Sequence, residues 1–300
     1  MKVLLAGSFE EGERSEWLQA LSTALPEAQW LDLAQARAAP QDVTAAVVAN
    51  PAPGSLQGWP NLRLIQSLWA GVDRLLQDRT LPAGVPIARM VDPAMNAAMA
   101  ETALWAVLSL HRGFFAYQRR QSEGVWQRHG QRRADELQVL VLGQGQMGGT
   151  AAERIAQQGY GVSGWRRDGA ALAPLLARSD IVVNLLPLTN DTRGLLDARF
   201  FAALPPKASV VNLARGAHVV DVDLLAALDS GHLRHAVLDV FRTEPLPAGH
   251  AYWQHPRVTL LPHAAAATDA RSAAAVAAAN LRAARDGQPL LHLVDASRGY

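Results

Sequence analysis

Three residues in the second half of the chain have types that could share one proton-transfer chemistry. Arg215 ends the run ASVVNLAR, Glu244 ends HAVLDVFRTE and His263 ends VTLLPH. An imidazolium donates a proton near neutral pH. A carboxylate beside it favours the charged ring and fixes its orientation. A guanidinium can hold a substrate carboxylate and polarise a carbonyl as negative charge builds on its oxygen. The set suits reduction of a 2-keto acid, in which a hydride reaches the carbonyl carbon and a proton reaches its oxygen. HAAAAT, from His263 on, has small side chains that leave room for a planar ring. Singly, each residue has a plainer reading: a solvated strand-end histidine, a loop acid before a proline, a surface cation before Gly216. Their weight as a set depends on the elements that carry them.

From Leu137 onward those elements alternate regularly. LQVLVLG, GVSGW, DIVVNLLP, ASVVNLA, HAVLDVF and VTLLP read as strands, with helical stretches such as MGGTAAERIAQQG and DVDLLAALDSG between them. Strands that are apolar throughout, separated by helices, indicate a parallel sheet covered on both faces. The C-terminal strand ends of such a sheet share an edge, so Arg215, Glu244 and His263 are expected to converge there. The same edge carries VLVLGQGQMGG, in which Gly143, Gly145 and Gly148 form a GxGxxG pattern. The first glycine makes the tight turn, the second lets the backbone approach a pyrophosphate, and the third permits close helix–strand packing. Amides at the helix N-terminus then face the phosphates. A strand before the glycines, a helix after them and a further strand near Val162 favour a dinucleotide-binding turn over a plain one.

GWRRD extends that reading. Arg166 and Arg167 lie 18 and 19 residues after Gly148, at the end of the second strand of the unit. NAD-preferring folds place an acid about 20 residues after the glycines, on the ribose 2′-hydroxyl. Such an acid repels a 2′-phosphate, which arginines grip. The pair is therefore expected to favour NADPH, with NADH possible; two solvated turn arginines are the alternative. Asp168 lies beyond the expected strand-end position.

Upstream, KVLLAG, AAVVAN and LRLIQS read as strands. SEWLQALSTAL reads as a helix, with Trp17, Leu18, Leu21 and Leu25 at helical spacing. A long helix is expected from about Asn96 to Gln121, followed by a polar surface connection, QRHGQRRADE. TDARSAAAVAAANLRAARDG is an alanine-rich helix stopped by Gly287 and Pro289. The 300 residues suggest two domains. Lys+Arg 28 against Asp+Glu 27 leaves no global field to recruit nucleic acid or an anionic membrane. With Cys 0, disulfides, thiolate catalysis and cysteine metal sites are excluded. No apolar run approaches a membrane span, and MKVLLAGSFEEGE turns acidic too early for a signal peptide, so a cytoplasmic protein is expected. His232 and His235, in HLRH, lack further ligands, and no metal site is expected. RRQSEGVWQRHGQRR reads as a solvated helix or dimer arm, not a nucleic-acid patch.

VLGQGQMG, NLLPLTNDTRGLL, NLARGAHVVDVDLLAALDSGHL, AVLDVFRTEPLP, WQHPRVTLLPHAAAAT and the tail VDASRGY together resemble the D-2-hydroxyacid dehydrogenases, most closely their glyoxylate/hydroxypyruvate reductase A branch. The resemblance covers most of residues 137 to 300; the N-terminal third matches more loosely, through SLWAGVD and NAAMAE. It implies an α/β fold of two Rossmann-like domains, each a doubly wound parallel sheet, with the active site in an interdomain cleft. Residues 1–95 and 270–300 would form the flavodoxin-like substrate-binding domain, and 96–269 the dinucleotide-binding domain. Arg215 would bind the substrate carboxylate and carbonyl, and His263, paired with Glu244, would be the general acid/base. Backbone amides at Ala70, Gly71 and Val72 would cradle the carboxylate beside Trp69. To the cofactor it assigns Gly143, Gly145, Gln146, Met147, Gly148, Trp165, Arg166, Arg167, Leu186, Pro187, Thr192, Leu213, Ala214, Asp239 and Ala265, with Asp239 near the carboxamide. The partners implied are a small 2-keto or 2-hydroxy acid and a second copy of the chain, joined through the arm near residues 96 to 135. Two positions sharpen the expectation. Trp69 stands where the family's loop has a glycine, and would shrink the pocket or stack on a substrate, so it bears on substrate size; a dehydrogenase for a bulkier 2-keto acid is the alternative within the family. Glu244 argues against formate dehydrogenase, whose relatives carry glutamine there. A dinucleotide-sensing corepressor is the alternative of another class, disfavoured by the intact Arg215, Glu244 and His263 and by the absence of a long disordered tail.

Overall fold

The structure is a computed structural model that describes residues 1–167 and 169–300; Asp168 lies outside them. The chain divides into two compact units, Met1–Met95 with Thr268–Tyr300, and Asn96–Ala267.

In the first unit, β1 (Lys2–Gly7) leads through α1 (Glu13–Ala24), β2 (Gln29–Leu31), α2 (Leu33–Arg37) and β3 (Val43–Ala49) to β4 (Ile65–Ser67) and β5 (Ile87–Ala88). The strands pair in parallel in the order β2-β1-β3-β4-β5, the flavodoxin-like winding. Trp17, Leu21 and Leu25 are buried along one stripe, as the spacing in SEWLQALSTAL requires. The final helix of the chain, Ala270–Asp286, returns to this unit and packs against α1. Its buried face is almost all alanine (Ala270, Ala273, Ala274, Ala277, Ala278), which lets the two helices approach closely. β2, α2 and β5 are not legible in the sequence: they run 3, 5 and 2 residues, too short to establish a period.

The second unit follows from α3 (Pro93–Arg112) and α4 (Phe114–Ser122). One helix was expected across this stretch, and the structure corrects it to two. Gly113 sits in the left-handed region at φ 72, and a Cβ there would meet the His129 ring at 2.4 Å, so the chain turns at this residue. The chain continues through β6 (Gln138–Leu142), α5 (Gln146–Ala156), β7 (Gly161–Trp165), α6 (Leu172–Leu176), β8 (Ile181–Asn184) and α7 (Ala198–Ala202). It then forms β9 (Ser209–Asn212), α8 (Asp221–Asp229), β10 (His235–Leu238) and β11 (Val258–Leu260), before α9, the final helix already described. All pairings are parallel, in the order β11-β10-β9-β8-β6-β7. Alternate strand residues enter two cores. Leu140, Leu142, Val182, Val210 and Leu238 face one way, against Phe200, Leu224 and Leu228. Val139, Val141, Val183, Val211 and Val237 face the other, against Ala103, Val107 and Ile155. Both faces being covered is why these strands read as unbroken apolar runs. Winding reverses between β6 and β8, and ligands of open α/β sheets bind outside the strand ends at such a switch. Among the described residues no helix is long and apolar enough to cross a membrane.

Candidate active site

The glycine turn joins β6 to α5 at that switch. Gly143 has φ 93, and a Cβ on it would lie 2.5 Å from the Leu185 carbonyl oxygen. At Gly148 a Cβ would be 1.8 Å from the Gly143 oxygen, so the helix can start only if that residue has no side chain. Gly145 has nothing within 4 Å of the same position. The outer two glycines are thus demanded by packing, while the middle one is bare toward open space. That is the arrangement a pyrophosphate lying on the α5 N-terminus needs, and the residues fit a dinucleotide. Gln146 is exposed at the helix start and Met147 packs partly into the core.

Beyond β7, Trp165 is buried and donates from its indole to the Ala170 oxygen at 2.8 Å. Its side chain therefore ties Ala170 back to the end of β7, just before Arg166 and Arg167. Arg167 is ion-paired with Asp191 of the loop after β8. Thr192 shapes that loop: its hydroxyl donates to the Pro187 oxygen and accepts from the Thr189 amide, both at 2.8 Å. Leu186, Leu213, Ala214 and Ala265 are buried where the chain leaves the sheet.

Arg215, Glu244 and His263 follow β9, β10 and β11, three adjacent strands, on the edge that bears the glycine turn. His263 Nδ1 and Glu244 Oε2 are 2.7 Å apart. The other Glu244 oxygen accepts from the Phe241 amide at 2.8 Å. The hydrogen bond to Glu244 raises the His263 pKa, against opposition from burial and from the Arg215 charge. Burial pushes the Glu244 carboxyl upward, but the His263 bond, the Phe241 amide and the Arg215 charge outweigh it and leave it lowered. Both shifts favour the imidazolium–carboxylate pair, and the Arg215 charge acts on both groups, lowering each pKa. The imidazole is 52% exposed and so open to a ligand.

The His263 backbone has φ 55, uncommon for a residue other than glycine. Asp239, 1% exposed, holds it there. The Asp239 carbonyl accepts from the His263 amide at 2.8 Å, and its Oδ1 accepts from Ala264 and Ala265 at 2.7 and 3.1 Å. Burial raises the Asp239 pKa in spite of those two amides. A residue assigned to the cofactor thus also fixes the loop of the proposed acid.

Sequence reasoning missed a second layer. Asn184 and Asn212, both fully buried at the ends of β8 and β9, are joined at 3.0 Å. Asn184 also accepts from the Leu186 amide at 3.2 Å, and Asn212 donates to the Arg215 carbonyl at 3.0 Å. His218, also buried, lies 3.1 Å from that carbonyl and 3.3 Å from the Pro187 oxygen. Gly216 packs against the Phe241 backbone, where a Cβ would come within 1.9 Å, and so brings the Arg215 and Glu244 loops together. The available signal was an asparagine closing each of two apolar runs, VVNLL and VVNLA. His232 and His235 do not converge: their Nε2 atoms engage the Phe201 oxygen and the Thr259 hydroxyl, each at 2.9 Å. Among the described residues no group of three metal-ligating side chains gathers. In the first unit, Trp69 follows β4 and packs edge-on against the buried Trp17, with ring centroids 6.1 Å apart. Ala70 and Gly71 beside it are partly exposed, and Val72 is buried.

The model of the D-isomer specific 2-hydroxyacid dehydrogenase NAD binding domain matches residues 104–265. A glyoxylate/hydroxypyruvate reductase A of Serratia proteamaculans is 39% identical, with 100% of each chain covered. One from Yersinia enterocolitica is 36% identical, covering 96% of this chain and 97% of its own. Among solved structures, a D-isomer specific 2-hydroxyacid dehydrogenase of Xanthobacter autotrophicus Py2 in complex with NADPH and MES superposes with a TM-score of 0.93. It is 38% identical, over 100% of this chain and 99% of that one. An NADPH-dependent glyoxylate/hydroxypyruvate reductase of Sinorhizobium meliloti, in complex with NADP and sulfate, gives a TM-score of 0.90 at 33% identity, over 100% and 99%. These matches bear out the family resemblance read from the motifs, and with the two wound sheets they bear out the fold class.

Proposed function

Because this chain belongs to the D-isomer specific 2-hydroxyacid dehydrogenases, we propose that it reduces a small 2-keto acid, of the glyoxylate or hydroxypyruvate type, to the 2-hydroxy acid with NADPH. The observation that carries the reading is the His263–Glu244 pair, 2.7 Å apart, beside Arg215 on the edge that bears the glycine turn. The relatives' NADPH and NADP complexes support the cofactor, together with the arginine pair after β7.

NADPH, when bound, supplies the hydride. Gly143 to Gly148 would hold its pyrophosphate, Arg166 and Arg167 its 2′-phosphate, and Leu186, Pro187, Leu213, Ala214, Asp239 and Ala265 its remaining length. Glu244 occupies Nδ1 of His263, so the proton passes from Nε2 to the carbonyl oxygen of the substrate. Arg215 pairs with the substrate carboxylate and stabilises negative charge on that oxygen. Amides of Ala70, Gly71 and Val72 would serve the same carboxylate, with Trp69 held against Trp17. The chain would act as a homodimer through residues 96 to 135. Support comes from Trp126, 99% exposed, and from Phe114 and Val125, exposed on the same stretch.

His263→Ala tests the assignment. Keto-acid reduction should fall by about a hundredfold or more, while NADPH binding, read by calorimetry, stays intact. Unchanged turnover would sink it.

A further inference from the structure

The Arg167–Asp191 ion pair places a carboxylate of the protein on a guanidinium assigned to the cofactor. We propose that Asp191 is a specificity-determining residue: it occupies Arg167 in the free protein, competes with the 2′-phosphate of NADPH, and so limits the preference for NADPH over NADH. The inference rests on the proposed role of Arg167 as a 2′-phosphate ligand.

β7 and β8 flank β6 in the sheet, so the turn bearing Arg167 and the loop bearing Asp191 stand on either side of the glycine turn. Asp191 reaches Arg167 across that interval from a loop of fixed shape. Thr192, 4% exposed, ties the loop to Pro187, and the Arg193 amide donates to the Thr189 oxygen at 3.0 Å. On the other side, the buried Trp165 indole donates to the Ala170 oxygen. Asp191 is therefore presented by constrained backbone, and Arg167 lies two residues beyond the buried Trp165. Their side chains stay open to solvent, at 45% exposure for Arg167 and 66% for Asp191, so an incoming ligand can reach them.

A phosphate monoester carries nearly two negative charges at neutral pH, against one for a carboxylate. It outcompetes Asp191 for the guanidinium but must displace or approach a like charge to do so. NADH has a hydroxyl at the same place and meets no such opposition. An exposed ion pair is worth little, so neutralising Asp191 should raise NADPH affinity by only about two- to fivefold. Salt screens the competing charges, so the gain shrinks as ionic strength rises.

The test is calorimetric titration of NADPH and NADH into the purified full chain, its Asp191→Asn and Arg167→Gln variants, and the double variant. Melting temperatures first establish that each variant is folded. The expected result is a two- to fivefold lower Kd for NADPH in D191N at low salt, a smaller change for NADH, and no gain from D191N in the R167Q background. An unchanged or higher NADPH Kd, or an equal fall for both cofactors, overturns the proposal. The underlying reading fails separately. If R167Q leaves the ratio of NADPH to NADH affinity unchanged, Arg167 is not a 2′-phosphate ligand. If R167Q loses NADPH selectively while D191N is silent, only the role of Asp191 falls.

Discussion

At the scale of residues, the proposed reaction depends on an imidazole held charged where a proton is needed. With His263 as the proposed acid, reduction would require its protonated form. Its pKa is raised, so activity should be full at acid to neutral pH and decline only as pH climbs through that raised value. Glu244→Gln removes the largest upward influence and leaves burial and the Arg215 charge pushing downward, opposed only by the smaller upward pull of the Asp239 charge. The alkaline limb of the kcat profile for keto-acid reduction should therefore move to lower pH; an unmoved limb would show that Glu244 does not set the charge. Arg215→Lys keeps a cation but loses the planar fork that matches a carboxylate. It should lower kcat/KM for the keto acid by about ten- to a hundredfold, with NADPH affinity nearly unchanged by titration.

Elements place these residues, and their demands separate two kinds of glycine. Gly148→Ala would drive a Cβ into the Gly143 carbonyl, so the strand–helix junction must give way. A loss of several degrees in Tm is expected alongside weaker NADPH binding. Gly145→Ala meets no protein atom and has an ordinary φ of −76°, so Tm should hold while NADPH binding weakens. A fall in Tm for both, or for neither, would contradict the packing argument. The asparagine layer makes a similar case. Asn212→Ala removes the acceptor of the buried Asn184 side-chain amide and of the Ala214 backbone amide, at a cost of about 1–3 kcal/mol in urea unfolding. Much of its effect on turnover would come through a displaced Arg215.

For the whole molecule, the proposed dimer predicts that the purified chain elutes at twice its 32.2 kDa mass in light scattering. Trp126→Ala, at a side chain 99% exposed in the single chain, should weaken that association without changing the helical content. A wild-type monomer would remove the arm's proposed role. The sequence by itself determined what local periodicity and residue chemistry can carry. Apolar runs of both core faces announced the parallel sheet, the GxGxxG spacing announced its turn, and Arg215, Glu244 and His263 each followed a strand. Tertiary structure alone decided what depends on contacts between distant segments. Gly113 breaks the helix in the left-handed region, and the His129 ring, 16 residues away, fills the space a Cβ there would need. Asp239 turned out to hold the His263 loop, Asn184 and Asn212 to join two strand ends, and Asp191 to reach Arg167 from the next loop along. A backbone period records which face a residue takes, because it repeats every few positions. Which partner it meets across the sheet is set by strand order, and strand order leaves no period in the chain.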